Sequence, residues 1–160
     1  MKKALRTSII FCLIAAVAVC CIACTDKIYS STWEMAVAVD GSGDVVACGE
    51  GYSYGEDVLR VTVTCNISKD GEITIKSADN QMSMKGQMTE LSTGADGEVR
   101  YSIAFEDGRT GTAVYKDKKD DSYPSDVDKD DLADIAELYE LSVSVSDVMT
   151  LYFVRGAEIK

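Results

Sequence analysis

Hydrophobic and polar residues alternate along most of the chain after residue 30. The clearest case runs from Leu59 to Ile67, where every odd position is apolar and every even position is polar. Successive side chains of a strand point to opposite faces, so this period of two predicts a strand with one face in a core and the other in water. The same alternation recurs in further segments, whose apolar positions are Trp33, Met35, Val37 and Val39; Ile73 and Ile75; Val99, Tyr101, Ile103 and Phe105; and Val143, Val145, Met149, Leu151 and Phe153.

Turn signals separate these segments. Asp-Gly pairs stand at residues 40–41, 70–71, 96–97 and 107–108, and both residue types tolerate the positive φ of tight hairpin turns. Weaker alternation predicts additional strands near Val45–Cys48, Gln81–Met88 and Thr110–Lys116. About eight antiparallel strands in a meander are typical of an all-β, up-and-down barrel, and a β-sandwich is the alternative.

The strand pattern is interrupted once, by a charged stretch from Asp117 to Asp131 that contains the only proline of the chain. After it, Leu132, Ile135, Ala136 and Tyr139 fall at helical spacing. The region 117–140 is therefore predicted to be an acidic surface loop followed by a short helix, from about Asp130 to Glu140, before the last strands.

The N-terminus has the pattern of an export signal. Three basic residues lie within the first six positions, and residues 9–23 form an apolar run that ends at Ala23-Cys24. This ending resembles the lipobox of bacterial lipoproteins. The resemblance implies cleavage before Cys24, acylation of that cysteine, and attachment to the extracytoplasmic face of the cell membrane. The alternatives are an ordinary cleaved signal with a freely secreted product, and an uncleaved anchor. The resulting division is a signal peptide over 1–23, a short lipidated tether over 24–30 and one domain over 31–160.

Composition limits the partners of this domain. All 27 acidic residues lie after residue 23, and the whole chain has a formal net charge of −11. Nucleic acid and anionic lipid surfaces are therefore poor partners, and the membrane contact is expected through the lipid alone.

Two cysteines, Cys48 and Cys65, remain after the signal and the acylated cysteine. An even pair in a small exported domain favours a disulfide, and two buried free thiols are the alternative.

The chain contains no histidine, so a histidine-based catalytic triad or dyad is impossible. We find no Gly-rich phosphate loop and no zinc-type cysteine spacing either. The sequence thus predicts a protein that is not an enzyme and that needs no cofactor.

One acidic motif has the spacing of a calcium loop. It resembles the EF-hand at ligand positions 1, 3, 5, 9 and 12 of the loop, which are Asp126, Asp128, Asp130, Asp134 and Glu137. Asp131 stands where the sharp turn of that loop needs glycine, and the same acids would serve equally well as the N-terminal cap of the predicted helix. Both interpretations stay open at this point.

The body of the chain also resembles lipocalin-like domains. Ser31-Thr32-Trp33 is similar to their opening Gly-x-Trp motif, and Arg155 in the last strand stands where it could stack on Trp33. The resemblance implies a barrel that Trp33 and Arg155 close at one end and that binds a small apolar ligand inside. Candidate lining residues are the predicted inward positions Met35, Val37, Val61, Val63, Tyr101, Ile103 and Leu151, although a solid core would use the same residues. The competing interpretation is a protein-interaction module that binds an envelope protein or inhibits a hydrolase.

Overall fold

The computed structural model describes residues 28–29, 31–50, 52, 58–95, 97–117 and 139–158, and the backbone alone for 157 and 158. Within these ranges the chain forms ten strands. They are β1 (Ser31–Asp40), β2 (Val45–Cys48), β3 (Leu59–Arg60), β4 (Val63–Ile67), β5 (Glu72–Ser77), β6 (Ser83–Thr93), β7 (Val99–Phe105), β8 (Thr110–Tyr115), β9 (Leu141–Val145) and β10 (Met149–Glu158). No helix in these ranges is long and apolar enough to cross a membrane.

Eight of the strands form a closed antiparallel barrel. Strands β4 to β10 lie side by side in sequence order, and each pairs with the one that follows it. Strand β1 pairs with β4 on one edge and with β10 on the other, which closes the sheet. The closing pair runs from Ser31↔Glu158 to Asp40↔Met149, the whole length of β1. This closure confirms the predicted all-β, lipocalin-like, up-and-down barrel and excludes the sandwich, because a sandwich would leave β1 and β10 unpaired with each other.

The strand β1 is long enough to have two neighbours along one edge. Its first half pairs with β4 at Trp33↔Cys65, and its second half pairs with β2 at Val37↔Cys48. The short β3 continues this branch, since it pairs in parallel with β2. The barrel wall therefore divides at the middle of β1, with β2 and β3 as extra strands.

The division corrects one sequence prediction, the single strand from Leu59 to Ile67. The chain leaves the strand conformation at Val61 and Thr62 and separates β3 from β4. The edge of β1 is already occupied by β2 at this level, so Leu59 follows β2 instead and is 65% exposed.

A β-bulge in β1 corrects a second prediction, the inward position of Val37. Met35 faces Phe153 and Val37 faces Tyr152, so that Ala36 is the extra residue on β1. The bulge reverses the alternation: Met35 and Ala38 pack in the barrel core, whereas Ala36 and Val37 pack in a separate cluster with Val39 and Val154.

The core consists of buried apolar side chains from all eight strands of the barrel. The separate cluster lies on the other face of β1 and β10. Its members are Ala36, Val37, Val39, Cys48, Tyr139 and Val154, with Val45, Tyr52, Val58 and Tyr152 packed against them.

The turns mostly follow the sequence pattern. Gly71, Gly97 and Gly108 have positive φ as the Asp-Gly pairs predict, whereas in the first turn Gly43 has this conformation and Gly41 does not. Residues 130–138 of the predicted helix, the acidic loop from 118, the signal peptide and Cys24 lie outside the described residues. Tyr139 and Glu140, the last two residues of that prediction, are not helical.

Candidate functional site

One end of the barrel is closed around Trp33. The indole is fully buried, and its Nε1 donates a hydrogen bond of 3.0 Å to the carbonyl oxygen of Ile28. Tyr115 meets the indole edge-on at a centroid distance of 5.9 Å. Ile28 is itself fully buried, so the segment before β1 covers this end.

Arg155 covers the same end from β10. Its guanidinium carbon lies 5.8 Å from the centroid of the Trp33 ring, the arrangement that the lipocalin resemblance implies. The Nη2 atom donates to Oε1 of Glu140 at 2.8 Å and lies 3.8 Å from Oδ1 of Asp117. Glu140 is 2% exposed, so its charge is buried beside a cation. These groups contact one another and cover the indole of Trp33 at this end of the barrel.

The opposite end of the barrel contains a cavity of about 390 Å³. It lies where the wall divides between β1, β2 and β4, and it reaches the turn between β5 and β6. Its lining residues are Met35, Ala38, Val46, Ala47, Leu59, Val61, Val63, Ser77, Asp79, Gln81, Met82, Met149 and Leu151. Ten of these thirteen side chains are apolar, and the three polar ones come from one turn.

The structure places the predicted lining residues in three different environments. Met35, Val61, Val63 and Leu151 line the cavity. Tyr101 and Ile103 lie in the filled part of the core, where burial raises the pKa of the Tyr101 hydroxyl. Val37 lies in the outer cluster because of the bulge.

Sequence reasoning missed the part of the lining that comes from β2, β3 and the β5–β6 turn. Ala38 and Ala47 enter the lining as neighbours in the pairing of β1 with β2. A signal was present in the sequence, since the polar run from Ser77 to Gln81 marks a turn that must lie at one end of a barrel.

Asp79 is the only ionisable side chain among the described residues that line the cavity. Its Oδ1 accepts hydrogen bonds from the hydroxyl of Ser77 and, at 3.0 Å, from the backbone N–H of Gln81. These bonds hold the pKa of the Asp79 carboxyl below its usual range, so the group is ionised at neutral pH. Ser77 in turn accepts a bond from the N–H of Met82 at 2.9 Å, which fixes the turn.

The two cysteines are free thiols in the structure, so the disulfide expected from the sequence is not formed in it. Cys65 faces the barrel core opposite Trp33, while Cys48 lies in the outer cluster opposite Val37. Four residues of β1 separate these two levels, roughly 10 Å or more along the strand, whereas a disulfide requires Cα atoms within about 7 Å. Burial raises the pKa of the Cys65 thiol, which keeps it protonated.

Among the described residues, no group of three or more acidic or cysteine side chains is arranged to hold a metal ion. The acids of the calcium-like motif, from Asp126 to Glu137, lie outside these residues, so that hypothesis stays a prediction.

The geometry of the open end is suited to holding a molecule that is apolar over most of its surface and polar at one point. The single carboxylate at the mouth can accept a hydrogen bond or balance a positive charge. Comparison of the chain with protein-family models, with curated proteins and with solved structures found no match.

Proposed function

We propose that this protein is a lipid-anchored bacterial lipoprotein of the extracytoplasmic face, whose barrel binds a small apolar ligand without transforming it. The observation that carries the binding proposal is the cavity of about 390 Å³ at the end of the barrel opposite Trp33. Ligand pockets commonly have volumes of about 300–1,000 Å³ and mostly apolar linings with a few polar groups, so this cavity suits a small molecule.

Three of the four large exposed apolar side chains among the described residues lie near the mouth, which supports its occupation by a ligand; the fourth, Leu91, lies in β6. Val46 and Leu59 line the cavity and are 41% and 65% exposed. Val148, also exposed, precedes the lining residue Met149 at the same end. A ligand seated against these side chains would remove apolar surface from water, at about 25 cal/mol for each Å².

The proposed anchor supports a definite orientation. Cys24 precedes Ile28 by four residues, a stretch that spans at most about 14 Å when fully extended. Because Ile28 packs at the closed end beside Trp33, an acylated Cys24 would hold that end toward the membrane. The mouth of the cavity would then face away from the bilayer, and a ligand would enter from the aqueous compartment.

The lining chemistry supports binding rather than catalysis. Asp79 is the only ionisable group among the described lining residues, and carboxylate-only hydrolysis of glycosides needs two acids across a cleft. The chain also lacks histidine. The proposed role is therefore that of a carrier or sensor.

The test is binding of N-phenylnaphthylamine, an uncharged fluorescent probe, to protein that begins at Thr25 and retains every barrel residue. We expect saturable binding of one probe per protein. Ala47→Phe should weaken it at least tenfold, since the ring would occupy space beside Ala38. Ala104→Phe is the matched control, because Ala104 is exposed on β7 and does not line the cavity. Melting curves of both variants show whether the barrel is intact.

Absence of saturable probe binding to the unaltered protein would refute the ligand-binding proposal. It would favour the protein-interaction module instead, for which β3, the edge strand of the sheet in the described part of the chain, offers a place for strand addition. Mass spectrometry of the processed N-terminus tests the anchor separately. Acylated Cys24 is the expected terminus, and an unmodified terminus at Thr25 or beyond would exclude it.

A further inference from the structure

We infer that the cavity selects apolar ligands with a positively charged amine head group over ligands with a carboxylate, and that Asp79 is the residue that makes this selection. The inference rests on the proposed binding function and adds the chemical class of the ligand. The structural basis is the position of one carboxylate at the mouth of an otherwise uncharged lining.

The geometry of Asp79 leaves it available to a ligand. Both of its hydrogen bonds, from Ser77 and from the backbone of Gln81, end on Oδ1. The other carboxylate oxygen, Oδ2, can therefore accept a bond from a ligand without disturbing the turn. Because Asn80 adopts a positive φ and its N–H binds the carbonyl oxygen of Ser77, the turn holds the carboxylate in one place.

No basic side chain contributes to the described lining, so nothing there would balance a carboxylate of a ligand. Arg60 follows the lining residue Leu59 in β3, but it is exposed and is not itself a lining residue. Lys76 lies on the exposed face of β5, opposite to its buried neighbours Ile75 and Ser77.

The loops at the same end of the barrel add negative charge. Asp40 is the last residue of β1, and Asp44 lies in the turn that follows it. Asp147 lies in the turn between β9 and β10. These two loops touch, since the backbone of Asp147 approaches Gly41 closely. Arg109, in the β7–β8 turn of this end, is held by Asp107 at 2.5 Å. The field at the mouth thus attracts cations and repels anions.

A ligand carboxylate at this position would meet a like charge, whereas an ammonium group would donate a charge-assisted hydrogen bond to Asp79. The apolar body of either ligand would make the same contacts with the side chains below. The head group alone should therefore decide between them.

The experiment is displacement of N-phenylnaphthylamine at pH 7 by three ligands with the same chain: decylamine, decanol and decanoate. We expect decylamine to bind most tightly, decanol next and decanoate most weakly. With Asp79→Asn, decylamine should bind about fivefold more weakly, because its ammonium group loses the charged partner. Decanol should be unaffected, because its binding does not depend on charge.

The matched control is Asp70→Asn, which changes the net charge equally in the β4–β5 turn at the closed end of the barrel. We expect it to leave the order and the affinities of the three ligands unchanged. Equal binding of decylamine and decanoate, or equal effects of the two variants, would overturn the inference while leaving the binding function in place. Failure of the probe and of all three ligands to bind would overturn both.

Discussion

The guanidinium of Arg155 lies over the indole of Trp33, with 5.8 Å between its central carbon and the ring centroid. The same guanidinium donates a 2.8 Å hydrogen bond to Glu140. One side chain of the last strand thus contacts both the first strand and the residue that precedes β9. The contact lies at the seam where the sheet closes into a barrel, because Trp33 and Arg155 are also direct partners in the pairing of β1 with β10.

Replacement of this arginine should be costly. Glu140 is 2% exposed, and Arg155→Met removes the cation beside its buried carboxylate. We expect the free energy of unfolding to fall by about 3 kcal/mol, measured by chemical denaturation. The double variant Arg155→Met/Glu140→Gln should lose less than the sum of the two single variants, because the buried charge is removed with its partner.

Arg109→Met is the matched control for this prediction. Its pair with Asp107 lies on the surface, where the two side chains are 45% and 47% exposed. We expect the free energy of unfolding to change far less than in Arg155→Met, because water screens an exposed ion pair. If Arg109→Met and Arg155→Met lowered the free energy of unfolding equally, the role of Arg155 in stabilising the closed barrel would be contradicted.

The branch of the sheet at β1 depends on a close backbone approach at Gly49. The N–H of Gly49 binds the carbonyl oxygen of Ala36 at 2.9 Å, and a Cβ at this position would lie 2.0 Å from the carbonyl oxygen of Met35. Gly49→Ala should therefore displace β2 and destabilise the protein by about 2–4 kcal/mol.

Gly108→Ala provides the comparison for Gly49. Gly108 has a φ of +87°, but an added Cβ there would meet nothing within 4 Å. Its cost should be only about 1 kcal/mol, from the backbone conformation alone. Thermal unfolding of both variants measures the two losses of stability. A smaller loss in Gly49→Ala than in Gly108→Ala would argue against the branched sheet.

The two thiols should be free and protected. In protein that begins at Thr25, alkylation without reductant should add two groups after denaturation and proceed far more slowly in the native state, because Cys48 and Cys65 are both buried. Intact mass spectrometry measures both. An unchanged mass after denaturation would show that a disulfide forms in spite of the separation along β1.

Stability should fall at alkaline pH through Cys65. Burial raises the pKa of this thiol above its ordinary value of 9.0, so the folded protein keeps the proton that the unfolded chain loses. The stabilisation that comes from the buried, protonated thiol is complete below about pH 9 and declines as the pH rises further. Between pH 8 and pH 10 the free energy of unfolding should drop by about 1.4 kcal/mol from this group.

The alkaline prediction is tested by chemical denaturation of the unaltered protein and of Cys65→Ala at the two pH values. The variant is expected to be less stable at pH 8, since a buried group is removed, but to show a shallower decline toward pH 10. Parallel declines in the two proteins would contradict the assignment to Cys65.

The sequence alone determined the strand content, most of the inward positions and the fold class. The alternation in Val99–Phe105 and in β9 is unchanged in the structure, where Val99, Tyr101, Ile103 and Phe105 are buried and Arg100 is exposed. These are local properties, because a regular strand between two neighbours needs only a period of two and a turn at each end. A contact between Trp33 and Arg155 was also predicted, but that prediction came from the resemblance of the opening motif to lipocalin-like domains and not from the alternation.

Only the tertiary structure decided which residues line the cavity. Val37 and Leu59 continue perfectly regular patterns in the sequence, yet a bulge turns the first outward and the second leaves the barrel wall beside β2. The second departure arises because β2 and β4 share one edge of β1, whereas the bulge lies in the pairing of β1 with β10 on the other edge. Neither feature leaves a trace in the alternation of its segment. The tertiary structure also decided the position of Asp79 at the mouth, because that position depends on where the barrel strands end together.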